Sequence, residues 1–443
     1  MMRCLLCVLS LLTIGHMTLA NPGLKVRVSK KGIEYANKVA GKYLTQALDD
    51  LILSDQTGKD RYMSWQLSSI QKQKIIQPVT SLTLNPQVNG LTLGVSNFGA
   101  EFSTNFWIKY KNGWFSVSDS GKMNVKIRGV AATVNVGIGA TTEGRVTVRS
   151  KSCTSSIEQL ELQFFGGSAF LLNLFRDLVQ NMLKDVLRKE ICGVVNKAID
   201  VSASNALSQM DVTYEVLENF TADCRMLADA VVTSNYLESS HKGEVYWTGA
   251  RGEYPTTPAN IPALNDVNKM AYIWLTEYSI NSFLYSAHVH NFLQYNLLPS
   301  EVDTIFRPYF ETTCRTYSSC LGALIPQLGS AYPDASVESR FTSPSPPEVR
   351  FFADRISVKA VADVALHVHT ADGKTYHAVT LTLDVLVNLT ATIHDGKING
   401  TLLGHTVDVY PKPTATATIE VHDVSQTFKK LVQGLINANF IGM

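Results

Sequence analysis

The sequence predicts an α+β fold made of two like halves, on three observations. Over most of the chain, apolar residues recur at the two-residue period of half-buried strands. Early and late in each half the period lengthens to that of a helix. A Pro-rich connector, "RGEYPTTPANIP" at 251–262, separates the halves.

Residues 1–20 read as a signal peptide. Arg3 supplies the positive start, Leu5 to Leu12 the apolar core, and Thr18-Leu19-Ala20 the small-residue cleavage site. An uncleaved anchor needs an apolar run of about 20 residues. No later segment has one, so the mature chain from Asn21 is expected to be secreted and soluble. In "NPGLKVRVSKKGIEYANKVAGKYL", Leu24, Val26 and Val28 alternate with Lys25, Arg27 and Ser29, which is a strand. From Ile33 a helical stripe begins (Ile33, Ala36, Val39, Ala40, Tyr43, Leu44, Ala47, Leu48, Leu51), with Lys30, Lys31, Lys38 and Lys42 on its other side. Such a helix either touches a membrane or roofs a hydrophobic interior. A meander of strands with one wet face follows: Leu82/Leu84, Leu91/Leu93/Val95, Met123/Val125/Ile127 and Ala132/Val134/Val136/Ile138. Within it Lys111-Asn112-Gly113 signals a hairpin turn, because Asn-Gly tolerates positive φ. From Ser168 to about Ala206 a long helix is predicted. Its stripe is Leu171, Leu174, Phe175, Leu178, Met182 and Val186, continued by Leu187, Ile191, Val194, Val195 and Ala198. At 1.5 Å per residue it spans about 45–55 Å, and it needs an equally long apolar partner such as a highly curved sheet.

The second half repeats the theme. A strand is expected at 269–275 and an aromatic-rich helix over Asn281 to Leu298, with a turn at "SPSPP", 343–347. Val358 to Val368 and Leu381 to Ile393 are alternating strands, and Asp395-Gly396 turns between the second and its return. Ala415, Ala417, Ile419 and Val421 form a further run, followed by a closing helix from Phe428 to Ile436. The halves share architecture and not sequence.

Only 17% of residues are charged, against about 25% in ordinary domains, which fits a protein that stores apolar ligands and equally fits many β-rich secreted domains. Residues 21–225 hold 24 Lys and Arg against 18 Asp and Glu, a net +6, while 226–443 hold 14 against 20, a net −6. The first half therefore suits anionic partners. Of the cysteines left after the leader, Cys314 and Cys320 are near enough to close a small loop, Cys153 and Cys192 bracket a strand-to-helix region, and Cys224 is left over. Asn219, Asn388 and Asn399 head N-glycosylation sequons.

No nucleophile elbow, H-E-x-x-H or phosphate loop is present, so no enzyme is predicted. His367 and His369 share a strand face with Lys359 and Asp363 and read as two exposed histidines. His288 and His290 do not face one another on a helix. No metal, cofactor or nucleic-acid partner is expected. "NFWIKYKNGW", 105–114, interleaves Trp107, Tyr110 and Trp114 with Lys109 and Lys111 around its turn. It suits a lipid headgroup interface as well as it suits an ordinary exposed turn.

"NPGLKVRVSKKGIEYA", "SKSCTSSIEQLELQF", "LRKEICGVVNKAID" and "NKMAYIWLTEYSINSFLY" together resemble the family of bactericidal/permeability-increasing protein, lipopolysaccharide-binding protein and the phospholipid and cholesteryl ester transfer proteins. The resemblance covers most of the chain. It implies a boomerang of two tapered antiparallel β-barrels with long packed helices and a central sheet, each barrel holding lipid acyl chains. The implied divisions are a leader at 1–20, a first lipid-binding barrel at 21–225, a linker and central-sheet region at 226–262, and a second barrel at 263–443, shortened at its C-terminus. Cys153 and Cys192 match the family's disulfide, and Cys314 with Cys320 is an addition to it. Trp107, Lys109, Lys111 and Trp114 fall in the hairpin that meets endotoxin phosphates in some relatives. Val39, Tyr43, Leu171, Leu174, Leu178 and Met182 are the candidate pocket wall. "ALDDLILSD", with Asp49, Asp50 and Asp55, stands where the endotoxin-binding relatives are strongly basic. The expected protein is a secreted monomer that binds phospholipid or lipopolysaccharide and touches membrane or bacterial surfaces peripherally. It serves either in innate defence or as a lipid carrier without antibacterial role.

Overall fold

The computed structural model describes residues 21–49, 55–59, 61–166, 169–302, 304, 307–314, 320–394 and 397–413. The leader, the turn at Asp395-Gly396, the run 415–421 and the closing helix lie outside the described residues. The chain forms two compact units. The first takes everything up to Val212 with Arg225–Lys242 and Pro262–Trp274; the second takes Thr213–Cys224, Gly243–Ile261 and the chain from Leu275.

In the first unit β1 (Leu24–Ser29) runs directly into α1 (Lys30–Asp49). Tertiary partners hold this junction. The Ser29 hydroxyl donates to the Lys269 carbonyl at 2.6 Å, and the Lys30 N–H donates to the Asn235 carbonyl at 2.9 Å. Gly32 is required there, since a Cβ would lie 2.5 Å from the Met270 carbonyl oxygen.

β2 (Gln56–Lys59), β3 (Met63–Ile76), β4 (Val79–Asn85), β5 (Gly90–Asn112), β6 (Phe115–Ala140) and β7 (Val146–Phe165) form one antiparallel sheet ordered β2-β3-β5-β6-β7. β3 pairs with β5 from Gly99 onward, and β4 takes the N-terminal stretch from Gly90 to Ser96. With 23 and 26 residues, β5 and β6 are too long to lie flat, so the strand twist accumulates into a curl. Asn97, at φ +58°, sits in a register shift between Val95 and Phe98 that bends β5 further. Among the described residues the sheet stays open between β2 and β7. It is a curled half-barrel, where the resemblance implies a tapered barrel.

α2 (Ala169–Lys197) is the one long helix among the described residues, where several were expected. It ends in a wide turn, Ala198–Ala203, and a short helical piece, Ser204–Ser208. It runs along the free edge of β7. Gln180 donates to the Leu160 carbonyl at 2.7 Å and Lys184 to the Glu158 carbonyl at 3.5 Å. Ser155 donates to the Arg188 carbonyl at 3.0 Å, and Cys153 is bonded to Cys192. Asp200 accepts from the Ser150 N–H at 2.7 Å and from its hydroxyl at 2.5 Å. Ten strand residues thus match twenty helical ones. The match is metric, because ten strand residues span about 33 Å and twenty helical residues about 30 Å.

Hydrogen bonds from the Ser150 hydroxyl and then its N–H hold the Asp200 carboxyl below the usual carboxylate range. A depressed carboxylate stabilises the fold above its unfolded pKa and ceases to do so as pH falls through the folded one. Below pH about 4, faster hydrogen exchange is therefore expected at the Ser150 amide than at β6 amides, after correction for intrinsic rates.

Past α2 the chain alternates between units. β8 (Thr213–Leu217) and β9 (Phe220–Asp223) make a hairpin of the second unit. β10 (Val231–Val232) and β11 (Tyr236–His241) return to the first, where β11 pairs with all six residues of β1. β12 (Glu244–Trp247) completes the sheet β12-β9-β8, and β13 (Ala271–Leu275) extends β10-β11-β1-β13.

In the second unit α3 (Glu277–Val289) starts and stops before the predicted span. Asn291, at φ +57°, ends it, and β14 (Tyr295–Leu297) occupies the expected last turn. β15 (Ser336–Thr342), β16 (Glu348–Phe351), β17 (Ile356–His369), β18 (Thr375–His394) and β19 (Lys397–Lys412) give the order β14-β15-β17-β18-β19, with β16 on β17. Asn281 clips α3 to β16, donating to the Val349 carbonyl at 2.8 Å and accepting its N–H at 2.7 Å. Ile325 and Leu328, from short helical turns, plug the sheet over Val337, Val364, Leu366 and Leu381.

Candidate functional site

Each unit's sheet has an apolar inner face only part of which is packed. In the first unit, buried Leu183 of α2, with Leu187 and Ile191, fills the face over Met123, Val125, Leu160 and Leu162. The same face continues into a second stretch. There Leu82, Leu93 and Val134 stand in one register row, and Leu84, Leu91 and Val136 in the next. Val134 is buried, but the leucines on β4 and β5 stay half-buried. α1 meets this end, where Asn37 donates to the Thr80 carbonyl at 3.2 Å. The second unit repeats the pattern. Val364, Leu366 and Leu381 are sealed, while the rows Val358/Val387 and Ile356/Leu389/Leu402 remain half-buried. Aliphatic faces that run on past their packed core can take up hydrocarbon.

Three clefts elsewhere on the surface, of about 270, 410 and 340 Å³, have a different character. Groups such as Arg149, Lys151 and Asp229, or Glu311, Asp334 and His369, line them. Among the described residues no trio of His, Cys, Asp or Glu is placed to hold a metal ion. None of the described helices is long and apolar enough to cross a membrane.

The β5–β6 hairpin tip is the second feature. Its loop residues are Gly113 and Trp114, because Asn112 pairs directly with Phe115. The turn thus lies one residue beyond the Asn-Gly reading. A two-residue loop with glycine at its first position needs positive φ there alone, and Gly113 supplies +60°. Trp114 projects with 96% of its surface exposed. Alternation puts Trp107, Lys109 and Lys111 on the outer face of β5, opposite buried Phe106. Tyr110 points to the other face, where its ring lies 6.5 Å from Tyr62 and 6.4 Å from Phe115. Arg61 sits over Tyr62 at 5.4 Å. The result is an aromatic tip flanked by Arg61, Lys109 and Lys111.

Of the candidate pocket wall, Val39 is exposed on α1. The side chains of Tyr43, Leu171, Leu174, Leu178 and Met182 lie outside the described residues. Cys314 is bonded to Cys320, while Cys224 is in no disulfide, and burial first, then Asp223, pushes its thiol pKa up. Asn219 is exposed in the β8–β9 turn and Asn399 on β19, whereas Asn388 is half-buried within β18. His367 and His369, read as exposed, are half-buried beside Glu338. Sequence reasoning missed Leu183, Arg61 and Tyr62. Leu183 lies one residue off the chosen stripe, and the other two reach the tip only through β3–β5 pairing.

Two antiparallel sheets, the first curled into a half-barrel and each with an incompletely packed aliphatic face, define a lipid-holding class of fold. Residues 32–210 match the N-terminal domain of the LBP / BPI / CETP family and residues 215–440 its C-terminal domain. The chain belongs to this family, whose members are non-enzymatic lipid-binding proteins. It is 27% identical to a bactericidal permeability-increasing protein of Sebastes schlegelii, over 82% of this chain and 76% of the relative. It is 25% identical to the lipopolysaccharide-binding protein of Homo sapiens, over 86% and 78%. It is 23% identical to the phospholipid transfer protein of Mus musculus, over 81% and 70%. A crystal structure of lipopolysaccharide binding protein superposes with a TM-score of 0.52 at 20% identity, covering 96% of this chain and 90% of that one.

Proposed function

We propose that this protein is a secreted carrier that holds the acyl chains of phospholipid or lipopolysaccharide on its two inner faces and meets lipid surfaces through the Trp114 hairpin. The half-buried aliphatic rows beyond each packed core carry the reading. Each methylene buried there contributes about 0.8 kcal/mol, so long tails bind tightly without a dedicated polar group. The disulfides suit an oxidising, extracellular setting. The relatives named for lipopolysaccharide binding and bacterial permeability, together with the cationic tip, favour anionic headgroups and a role in defence. Asp49 and Asp55, in the segment that is basic in endotoxin-binding relatives, favour the carrier alternative.

Solvent extraction of the purified protein and mass spectrometry of the extract test the pockets. Co-purified phospholipid or lipid A is expected; no lipid, and no uptake of a fluorescent phospholipid, would overturn the reading. For the tip, a lysine near an anionic surface is worth about 1 kcal/mol. K109Q/K111Q is therefore expected to weaken binding to anionic vesicles about 30-fold at low salt, and the gap should close as salt rises. Equal binding by variant and wild type at low salt would remove the tip from the proposal. Killing of Gram-negative cells by wild type and not by the variant would decide for defence over carriage.

A further inference from the structure

The outer face of the second unit's sheet carries a row of titratable groups, independent of lipid binding. Glu338 on β15, His367 on β17 and His377 on β18 stand directly opposite one another on three adjacent strands. The His367 and His377 rings are 5.2 Å apart. Nδ1 of His367 is buried and has no well-formed hydrogen bond among the described residues, although the Ala365 backbone lies near enough to the ring to favour its charged form. Glu338, nearly inaccessible, already accepts two bonds from Arg340, at 2.6 and 3.1 Å, and lies 3.0 Å from Nε2 of His369. The other ring nitrogen of His369 meets the Thr375 hydroxyl at 3.0 Å, and Nε2 of His377 meets the Thr380 hydroxyl at 2.9 Å. The remaining carboxylates of these strands are engaged by their own cations: Asp363 by Lys412, Asp384 by Lys359, and Asp372 in the β17–β18 turn by Lys374. A proton on His367 would therefore face the fixed charge of Arg340 and the rings of His369 and His377. Among the described residues Glu338 is the carboxylate that acts on His367, and it is already engaged. The adjacent residues Leu366 and Val368 are core, so disturbance here reaches the sealed end of the inner face.

We infer that the Glu338–His367–His377 row is an acid-sensitive latch: protonation of His367 between neutral pH and about pH 5 loosens the pairing of β15, β17 and β18 and leaves the first unit's sheet unaffected. Burial first, then Arg340 and His377, push the His367 pKa down, and the Ala365 backbone and Glu338 only partly offset them. The unfolded chain then binds a proton at about 6.5 that the folded chain refuses. Stability is full above that value, falls as pH drops from it to the folded pKa, and levels off below.

Hydrogen exchange on the full chain at pH 7.5 and 5.5, normalised to intrinsic rates, tests this. Segments 336–342, 364–369 and 376–382 are expected to lose protection at the lower pH, by at most about tenfold because pH 5.5 lies about one unit below the unfolded histidine pKa of about 6.5, while β5 and β6 hold theirs. H367Q, neutral at both pH values, is expected to abolish the difference. Arg340→Gln frees Glu338 to serve His367, so the difference should shrink there too, which keeps the test open if H367Q does not fold. Exchange of the imidazole C2 hydrogen reads His367 directly and should show it titrating below 6.5. Equal protection at the two pH values, an undiminished response in either variant, or His367 charged at pH 7 would overturn the latch.

Discussion

Arg27→Met is expected to cost the first unit about 3 kcal/mol, the low end of what breaking a buried ion pair costs. Arg27 is 5% exposed on β1 and stands opposite Glu238 of β11. Its Nε donates to the Glu238 carboxylate at 2.8 Å, a second guanidinium nitrogen lies 2.7 Å from the same oxygen, and the third donates to the Leu264 carbonyl at 2.5 Å. The guanidinium stacks over Tyr236 at 3.9 Å and reaches Trp274 at 5.0 Å. One side chain thus ties β1 to β11, to the 262–274 segment and to β13. Methionine keeps much of the volume and none of the charge, so the loss measures what the pairing does. Lys25, 3.0 Å from Glu238, keeps part of that carboxylate neutralised, which is why the low end applies. R27M/E238M removes both charges and should recover most of the loss, since an apolar pair of similar volume is often no worse than a buried ion pair. Chemical denaturation followed by exchange at β1 and β11 amides measures both. A single variant within 0.5 kcal/mol of wild type, the scatter of ordinary surface substitutions, would show the arginine to be dispensable.

Arg27 also marks where legibility in the sequence ends. The alternation that made Leu24 to Ser29 a strand placed Arg27 on its wet side, because a cation opposite Val26 and Val28 is the ordinary sign of solvent. What buries it is a chain segment more than 200 residues away in sequence, and no local pattern announces that. Features set by local period were legible: the switch from strand to helix, expected from Ile33 and found at Lys30, the extent of α2, and the position of the cationic hairpin to within one residue. Features set by polar partners distant in sequence were not. Gln180 and Lys184 lie off the apolar stripe predicted for that helix, yet together with Asp200 in the turn after it they carry its attachment to β7. The stripe chosen for that helix passed over Leu183, the residue that enters the core. The alternation of the chain between units past Val212 depends on which strands find β1, and strand spacing does not encode that choice.

The attachment of α2 to β7 gives the second large effect. Removing the Cys153–Cys192 bond as C153S/C192S is expected to cost about 3–4 kcal/mol by the loop-entropy relation, for cysteines 39 residues apart. The hydrogen bonds along the same edge contribute about 0.5–1.5 kcal/mol each, and less where solvent reaches them, as it does at Lys184 and Ser150. The covalent link therefore accounts for roughly half of the clamp, and it sits between the Ser155–Arg188 bond and the Asp200 contact. Without it, Asp200 is the hydrogen-bonded tie beyond Ile191 that this part of the edge keeps among the described residues, and protonation of that carboxylate at low pH weakens it. The variant should thus exchange β7 amides near Ser150 faster than wild type at neutral pH, and the difference should widen below pH about 4. Exchange near Leu160, where Gln180 and buried Leu183 still hold the helix, should change little. Uniform loosening along all of β7 would mean that the helix is held as a single block, and no change near Ser150 would mean that packing suffices without the bond. An opened β7 edge offers unpaired backbone groups to other chains, so the variant is also expected to aggregate faster on heating, measured by light scattering against wild type under the same ramp.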